Sequence, residues 1–323
     1  MRPHHWVLLF AALVVSALAA LAFGTIDVSI VETWRAIFGQ GPPTAVLVVR
    51  ELRLPRTVLA ALIGAGLGMS GAALQGVLRN PLAEPYLLGV SGGAAVGAVV
   101  AVAAGLAFTL VPIAAFAGAA VAVTLALSVA HATHGRGDPR VLVMAGVVVG
   151  AFANAAIMIV LANADASTVR GALWWMMGSA ADATWAQNAW LAAYIVIGGA
   201  VLVASGRTLD ALALGEDSAA GLGVDVERAA RGVYLAASLV AAATVAAAGL
   251  VGFVGLVVPH IARRVGAAGH RMLILASALI GGTLVVLADI AARTVRPPAE
   301  LPLGAVTAMI GVPFFLITLR RLT

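Results

Sequence analysis

Basic residues crowd one short segment of this chain, at positions 50–56, which read Arg-Glu-Leu-Arg-Leu-Pro-Arg. Two more arginines, Arg293 and Arg296, follow a long apolar stretch near the other end of the sequence. Guanidinium groups stay charged at physiological pH and pair with carboxylates in a planar, two-pronged geometry. Such a patch would attract an acidic partner surface, but arginines at a membrane boundary also act as snorkelling anchors. The residues alone leave both interpretations open.

A stiff polar turn occupies positions 79–85, Arg-Asn-Pro-Leu-Ala-Glu-Pro. Its two prolines, Pro81 and Pro85, lack an N–H group and disfavour helix in the residues before them. The segment is either an ordinary connecting loop or a constriction at the inner end of a pathway. The sequence therefore predicts a rigid connection here, for which a gate is the functional interpretation.

The longest charged stretch, residues 207–231, alternates leucines and alanines with acids and arginines. Leucines followed by Gly215, and the run 218–222 followed by Gly223, predict two short helices that each end at a glycine. A solvated loop is the alternative. Short helices with an apolar stripe and charged rims are more typical of a protein interface, so this stretch is predicted to contact a partner.

Metal-binding and catalytic side chains are scarce. The chain has no cysteine, and its 19 basic residues are all arginine. Because a phosphate-binding P-loop needs a lysine, an ordinary Walker A site is excluded. The histidines that stand in pairs or near helix ends form no convincing ligand set; they are His4, His5, His131, His134 and His260. The sequence therefore predicts no metal site, no bound cofactor and no enzyme activity in this chain.

The rest of the chain is composed for a lipid environment. Of its 323 residues, 62% are hydrophobic and 10% are charged, with a mean hydropathy of +1.07. Soluble domains are about 45–50% apolar and about 25% charged, so a water-soluble or disordered protein is excluded. Long apolar runs without the alternation of a β-barrel predict helices. We therefore predict one all-α transmembrane domain over residues 1–323.

The charge-free runs predict about ten transmembrane helices, since about 20 apolar residues cross a bilayer. Residues 85–135 are long enough for two spans with a turn near 107–112. Residues 232–262 would hold one full and one short helix, broken around Gly249. A single long helix over that second run is the alternative and gives nine spans. The first run, 3–26, is expected to stay uncleaved because many apolar runs follow it.

Glycine is abundant, with 36 residues, and much of it is spaced four positions apart. Small residues at this spacing let two helices approach closely in lipid, where no hydrophobic drive brings them together. The sequence therefore predicts tight helix packing at three pairs, Gly64 with Gly68, Gly93 with Gly97, and Gly146 with Gly150.

Charge placement predicts the orientation and argues against an ion-driven pump. Ten spans put both termini on one side, and if that side is cytoplasmic, 12 of the 19 arginines face the cytoplasm, as the positive-inside rule favours. The net charge of +5 therefore gives no sign of nucleic-acid binding. Carboxylates needed for a proton or sodium relay are missing from the middle of the spans. We therefore expect another polypeptide to supply the energy for transport. An ion-coupled secondary transporter or channel that works without an ATPase is the alternative.

Eight segments together resemble the FecCD family of ABC importer permeases, the type II importers of cobalamin, haem and ferric siderophores. They follow the family's order across residues 53–315, which makes the set specific although each motif is short. The segments are RLPR at 53–56, SGAALQ at 70–75, NPLAEPYLLGVSGGA at 80–94, WWMMGS at 174–179, LALGEDSAAGLG at 212–223, GFVGLVVPHIARR at 252–264, ADIAAR at 288–293 and ELPLGAVTAMIGVPFF at 300–315.

The resemblance implies a fold and a set of partners. The family fold has ten helices per subunit, with two subunits, here expected to be identical, around a central path in the bacterial inner membrane. One ATPase binds each subunit from the cytoplasm, so ATP and Mg²⁺ belong to the ATPase. A periplasmic binding protein delivers the chelate, and alternating access carries it inward. Ferric siderophore, haem and cobalamin are not separated, although no mid-span basic residue marks this chain for haem.

The resemblance also implies roles for particular residues. The docking arginines of the family match Arg53, Arg56 and Arg293. The cytoplasmic gate matches Asn80 and Leu82. The coupling helices that enter the ATPase fall at about 208–228, and the matching residues are Leu212, Leu214, Gly215, Glu216, Asp217, Leu222 and Gly223.

Overall fold

A computed structural model describes residues 1–132 and 139–319, and over these residues the chain forms fifteen α-helices and no strand. The all-α prediction is confirmed. The helices are α1 Pro3–Ala22, α2 Ile30–Ile37, α3 Pro43–Leu47, α4 Leu54–Val77, α5 Val90–Ala103, α6 Val111–Ala132, α7 Pro139–Ala162, α8 Ala166–Met176, α9 Trp185–Ala204, α10 Gly206–Ala213, α11 Glu216–Gly221, α12 Val226–Ala248, α13 Val254–Arg264, α14 His270–Thr294 and α15 Leu303–Leu319. His134 and three arginines predicted to be cytoplasmic, Arg136, Arg320 and Arg321, lie outside the described residues.

Seven of the described helical stretches are long and apolar enough to cross a membrane. They are Pro3–Ala22, Pro43–Val77, Phe108–Ala132, Val141–Ala162, Trp185–Ala204, Val226–Ala248 and His270–Thr294. The stretch Pro43–Val77 is continuous because a π-helical turn, Val48–Arg53, joins α3 to α4. Three further helices, α5, α13 and α15, have 14, 11 and 17 residues. Because each is shorter than the roughly 20 residues that span a bilayer, the count of ten remains a prediction.

Both predicted breaks in the long apolar runs are confirmed. The described part of the first run, residues 85–132, contains α5 and α6, separated by the irregular residues 104–107 and a 3₁₀ turn, Phe108–Leu110. Helix α12 ends at Ala248, where Gly249 takes a positive φ of 72°, and α13 begins at Val254. A single continuous helix over 232–262 is therefore wrong.

The backbone N–H and C=O groups that lose helical partners at the break after α12 form hydrogen bonds with other residues of the bundle. Ser179 N–H donates to the Ala248 carbonyl at 2.8 Å. Leu303 N–H donates to the Gly178 carbonyl at 3.0 Å, and Gly304 N–H to the Met177 carbonyl at 3.1 Å. Irregular backbone at membrane depth is stable only when such partners replace water. The loops before α9, α13 and α15 thus form one hydrogen-bonded junction.

Helix α4 is the centre of the bundle, and nearly all of its side chains after Leu54 are buried. Helices α9, α12, α13 and α14 pack around it. Gly64 meets the backbone of Gly281, and Gly68 meets the carbonyl of Ser277, both on α14. The predicted glycine packing is confirmed for this pair and again between α5 and α6, where Gly93 lies against the backbone of Gly118. It is not confirmed for Gly150, where a Cβ would meet only the Gly89 backbone, at 4.0 Å.

Gly64→Ala is expected to destabilise the protein by about 1–3 kcal/mol, the usual cost of overpacking a core. A Cβ at this position would overlap the Gly281 carbonyl, which is backbone and cannot rotate away. Gly232→Ala is the matched control, because it lies inside α12 with no atom near the new methyl group. Alanine stabilises an open helical site by up to about 1 kcal/mol. Thermal unfolding in detergent should therefore move in opposite directions; a shift in the same direction for both variants would contradict the packing.

Candidate functional site

The predicted docking arginines lie at one end of the bundle, here called the arginine end, and they point inward. Arg53 is 5% exposed and donates to the carbonyl oxygens of Leu21 at 2.7 Å and Ala22 at 3.1 Å, and also to Ile26. The Leu21 and Ala22 carbonyls lie at the C-terminal end of α1, where carbonyls lack intrahelical partners, and a cation stabilises them through both hydrogen bonds and the helix dipole. Arg53 therefore fastens α1 to the start of α4.

Arg56 is the centre of an ion-pair network at the arginine end. Its Nη2 lies 2.9 Å from Asp289 Oδ1, and its Nη1 lies 2.8 Å from Glu300 Oε1. Arg293 Nε lies 3.5 Å from Asp289 Oδ2, and Arg293 Nη2 donates to the Ala20 carbonyl at 2.7 Å. The Asp289 side chain is only 1% exposed. The network joins α1, α4 and α14 to the loop that precedes α15.

The docking role predicted for Arg53, Arg56 and Arg293 stays a prediction, and in the free chain these three side chains are not exposed. All three are buried, and their guanidinium groups are directed at oxygens of this chain. The pairing could not be seen in the sequence because Arg56 and Asp289 are 233 positions apart. The exposed basic side chains at this end include Arg50 and Arg296.

The turn at 79–85 lies at the opposite end of the bundle, here called the loop end. Arg79 closes α4 with a left-handed φ of 47°, and Asn80 Oδ1 accepts the N–H of Leu82 at 2.9 Å. The Leu82 side chain is 42% exposed. Glu84 accepts the N–H of Phe253 at 2.7 Å, and burial raises the pKa of this carboxyl, opposed by that hydrogen bond. The turn is thus held by hydrogen bonds within itself and to the residue that precedes α13.

Gln75 is a buried polar hub for which sequence reasoning found no role. Its Oε1 accepts from Arg263 Nη1 at 2.7 Å, and its Nε2 donates to the Leu256 carbonyl at 3.2 Å. Tyr86 reinforces the same junction by accepting the N–H of Val251 at 2.8 Å. A glutamine in an apolar run and an arginine 188 positions away give no local signal that they meet. Together they hold α4, α13 and the turn in one arrangement.

The charged stretch at the loop end folds as predicted into two short helices, α10 and α11. Gly215 and Gly223 follow them with positive φ angles of 108° and 81°. The leucines divide into two classes: Leu212 is 4% exposed and packs in the core, whereas Leu214 and Leu222 are 69% and 67% exposed. Leu212 is therefore a packing residue, and the other two form the apolar part of the exposed surface.

Ion pairs connect these short helices to the rest of the loop end. Arg79 pairs with Glu216 at the start of α11. Asp210 on α10 accepts the His270 N–H at 2.9 Å, and its Oδ1 lies 2.7 Å from His270 Nδ1. The first pair places α11 directly against the residue that precedes Asn80. A displacement of α11 would therefore act on the turn at 79–85 with no intermediate element.

No metal centre is found among residues 1–132 and 139–319: no three His, Asp or Glu side chains there come together as ligands. His260, one of the histidines considered in the sequence analysis, packs edge-on against Phe315 with ring centroids 6.5 Å apart. Asp289, the acid nearest the interior of a span, is paired with Arg56.

Comparison with known proteins shows which family this chain resembles. Residues 12–321 match the model of the FecCD transport family. The chain is 43% identical to the cobalamin import system permease protein BtuC of Halobacterium salinarum, over 86% of this chain and 75% of that protein. It is 37% identical to the iron(3+)-hydroxamate import system permease protein FhuG of Bacillus subtilis, over 97% of this chain and 95% of that protein.

Solved structures agree with this result. A transporter described as of metal-chelate type, in an inward-facing conformation, superimposes with a TM-score of 0.90 at 27% identity, covering 99% of this chain and 100% of that one. The resemblance drawn from the eight motifs is therefore confirmed. By its sequence and its fold, the chain belongs to the FecCD transport family of ABC transporter permeases.

Proposed function

We propose that this chain is the permease subunit of an ABC importer that carries a metal chelate, a ferric siderophore, haem or cobalamin, into the cytoplasm. The observation that carries the proposal is the pair α10 and α11, which expose Leu214 and Leu222 between acidic residues on a chain without a lysine for ATP phosphates. A surface of this kind suits an ATPase made by another gene. The names of the two relatives, for cobalamin and iron(3+)-hydroxamate, support the chelate class.

The proposed mechanism is alternating access. Closure of an ATPase dimer on ATP would move α10 and α11, and the Arg79–Glu216 pair would pass that motion to the gate at Asn80 and Leu82. A periplasmic binding protein would release the chelate at the arginine end. Because Arg53, Arg56 and Arg293 are buried in the free chain, the proposed docking would begin at exposed side chains of the same end, such as Arg50 and Arg296.

A second copy of the same chain is proposed to complete the path, in the inner membrane, with both termini cytoplasmic and residues 1–323 forming one domain. Helices α7 and α15 support this because they present large apolar side chains outward: Phe152 is 73% exposed and Met309 is 76% exposed. A self-complementary pair is the commonest symmetric solution.

Reconstitution tests the proposal. The chain would be placed in proteoliposomes with a candidate ATPase and a candidate binding protein from the same genome, and uptake of labelled cobalamin, a ferric hydroxamate and haem would be measured with and without ATP. We expect uptake of one chelate that requires ATP and the binding protein. Uptake driven by a proton or sodium gradient without the ATPase would establish the alternative, a secondary transporter.

Exchanging the charges of Arg79 and Glu216 tests the link between the contact surface and the gate. Both side chains are more than a third exposed, so the pair contributes at most about 1 kcal/mol to stability, and each variant should fold. Arg79→Glu or Glu216→Arg alone puts like charges together and should lower ATP-dependent uptake several-fold. The double exchange should recover uptake. A double variant no better than either single one would exclude a direct link.

A further inference from the structure

A cavity of about 590 Å³ lies within a single copy of the chain, towards the arginine end. Its walls come from α6, α8, α9 and the end of α12. Aromatic rings supply much of the lining, including Phe116, Trp174, Trp190 and Tyr194. The volume falls within the range of about 300–1,000 Å³ that is typical of small-molecule sites. The cavity is separate from the turn at 79–85 and from the exposed face of α7 and α15, which the proposed function uses.

The depth of the cavity matches one leaflet of a bilayer. Along α9 the lining runs from Ala186, in the first turn, to Tyr194. At 1.5 Å per residue this is about 12 Å, close to half the roughly 30 Å hydrocarbon thickness. Phe116 and Tyr194 are the deepest lining residues of α6 and α9, and their ring centroids lie 5.3 Å apart. These two rings therefore form the floor of the cavity.

The polar groups of the cavity lie near its mouth, and several are already paired. Thr184 and Gln187 cap α9 in a reciprocal capping box. Gln187 Nε2 also donates to the Ala247 carbonyl at 2.6 Å. Asp182 is exposed at the rim. The deeper wall is mainly apolar and its polar atoms belong to aromatic side chains, such as the Trp190 indole N–H and the Tyr194 hydroxyl, which suits a hydrocarbon better than a charged chelate.

The surface around the cavity is continuous with the part of the chain that would face lipid. Ile113, a lining residue on α6, is 66% exposed, and Tyr194 is 41% exposed. Ile197, one turn further along α9, is 67% exposed. Helices α6 and α9 both pack on α12, and the cavity lies between them. A lipid in the adjoining leaflet would thus reach the cavity sideways, without crossing a polar barrier.

We propose that this cavity binds one acyl chain of a membrane phospholipid, with the head group at the level of Thr184 and Trp185. Tryptophan and tyrosine are enriched at this depth because each combines an apolar ring with a polar atom. The bound chain fills the space between α6 and α9 and packs against Trp190. The proposal requires only that the chain lies in a bilayer, so it does not depend on which substrate is carried.

Tryptophan quenching by a brominated lipid tests the proposal. Delipidated protein in detergent would be titrated with phosphatidylcholine brominated in the middle of its acyl chains. Wild-type protein should show a saturable quenching component at low lipid-to-protein ratio, because Trp174 and Trp190 line the cavity. Ala247→Phe places a ring among the lining residues and should remove that component. Ile197→Phe, on the exposed face of α9, should keep it.

A second variant that fills the cavity controls for the chance that misfolding, rather than blocking of the cavity, removes the quenching. Ala186→Phe adds a ring at an exposed lining position near the mouth, where the fold has room to accept it. Each variant is first checked for a monodisperse peak in size-exclusion chromatography. Saturable quenching that persists in both blocked variants, or that is absent from the wild type, would overturn the acyl-chain site. Loss in the blocked variants alone, with Ile197→Phe unchanged, would establish it.

Discussion

Arg56→Ala is expected to destabilise the folded protein by about 3–5 kcal/mol, the usual cost of removing one partner of a buried ion pair. The substitution leaves Asp289, whose side chain is 1% exposed, with only Arg293 Nε at 3.5 Å. Glu300 loses its partner as well. Thermal unfolding in detergent, followed by the monomer peak in size-exclusion chromatography, would measure the loss. The expected result is a marked fall in both melting temperature and yield.

The matched control is Arg50→Ala, six positions earlier and exposed. It removes the same charge and should change stability by less than about 1 kcal/mol. Arg56→Lys should be intermediate, because lysine restores a charge but not the two-pronged contact with both acids. If Arg56→Ala unfolded like the wild type and lost only its binding-protein partner, the network would be a docking site after all.

Local signals in the sequence predicted local structure well. The break between α12 and α13 follows from Gly249 within an apolar run too long for one span. The ends of α10 and α11 follow from Gly215 and Gly223, since left-handed residues close helices. Packing at Gly64 follows from its spacing to Gly68 and the absence of a side chain. Each of these needs information from only a few neighbouring positions.

The surroundings of polar residues are harder to predict from the sequence, because their partners are distant in the chain. From the sequence alone, Arg53 and Arg56 are interpreted as surface charges. The structure places the Leu21 carbonyl beside Arg53 and the Asp289 carboxylate beside Arg56. The positive-inside rule counts charges on each side of the membrane but does not show which of them are buried. The sequence offers only a weak signal for such a buried ion pair. It is an arginine on the side of the membrane that the positive-inside rule disfavours, together with an acid near a helix end much later in the chain.

The leucines of residues 207–231 show that burial is hard to predict from the sequence even for residues two positions apart. Family resemblance groups Leu212 and Leu214 as coupling residues, but they lie two positions apart on nearly opposite faces of a helix. The structure buries Leu212 and exposes Leu214. Helical periodicity alone could have separated them, had the bounds of α10 been known. The exposed apolar part of this segment is therefore smaller than the segment that matches the family motif.

Replacing Leu214 and Leu222 together by aspartate should abolish stable association with the ATPase. Both side chains are more than two-thirds exposed in the free chain, so aspartate there remains hydrated and the permease itself should fold and express normally. In the complex each carboxylate would be buried in an apolar contact beside Glu216 and Asp217. Unpaired buried charge costs about 3–5 kcal/mol, which corresponds to a weakening of roughly 10²–10³-fold or more.

Co-purification of the permease on a tagged ATPase measures this loss of association, and two other variants serve as controls. Leu106→Asp changes an exposed leucine in the turn between α5 and α6, at the arginine end, so it should leave association at the wild-type level. Leu212→Asp buries a charge in the permease core and should lower the yield of the permease itself. If the double variant recovers the ATPase at the wild-type ratio while Leu212→Asp fails to fold, the ATPase does not contact these leucines, and the coupling surface lies elsewhere at the loop end.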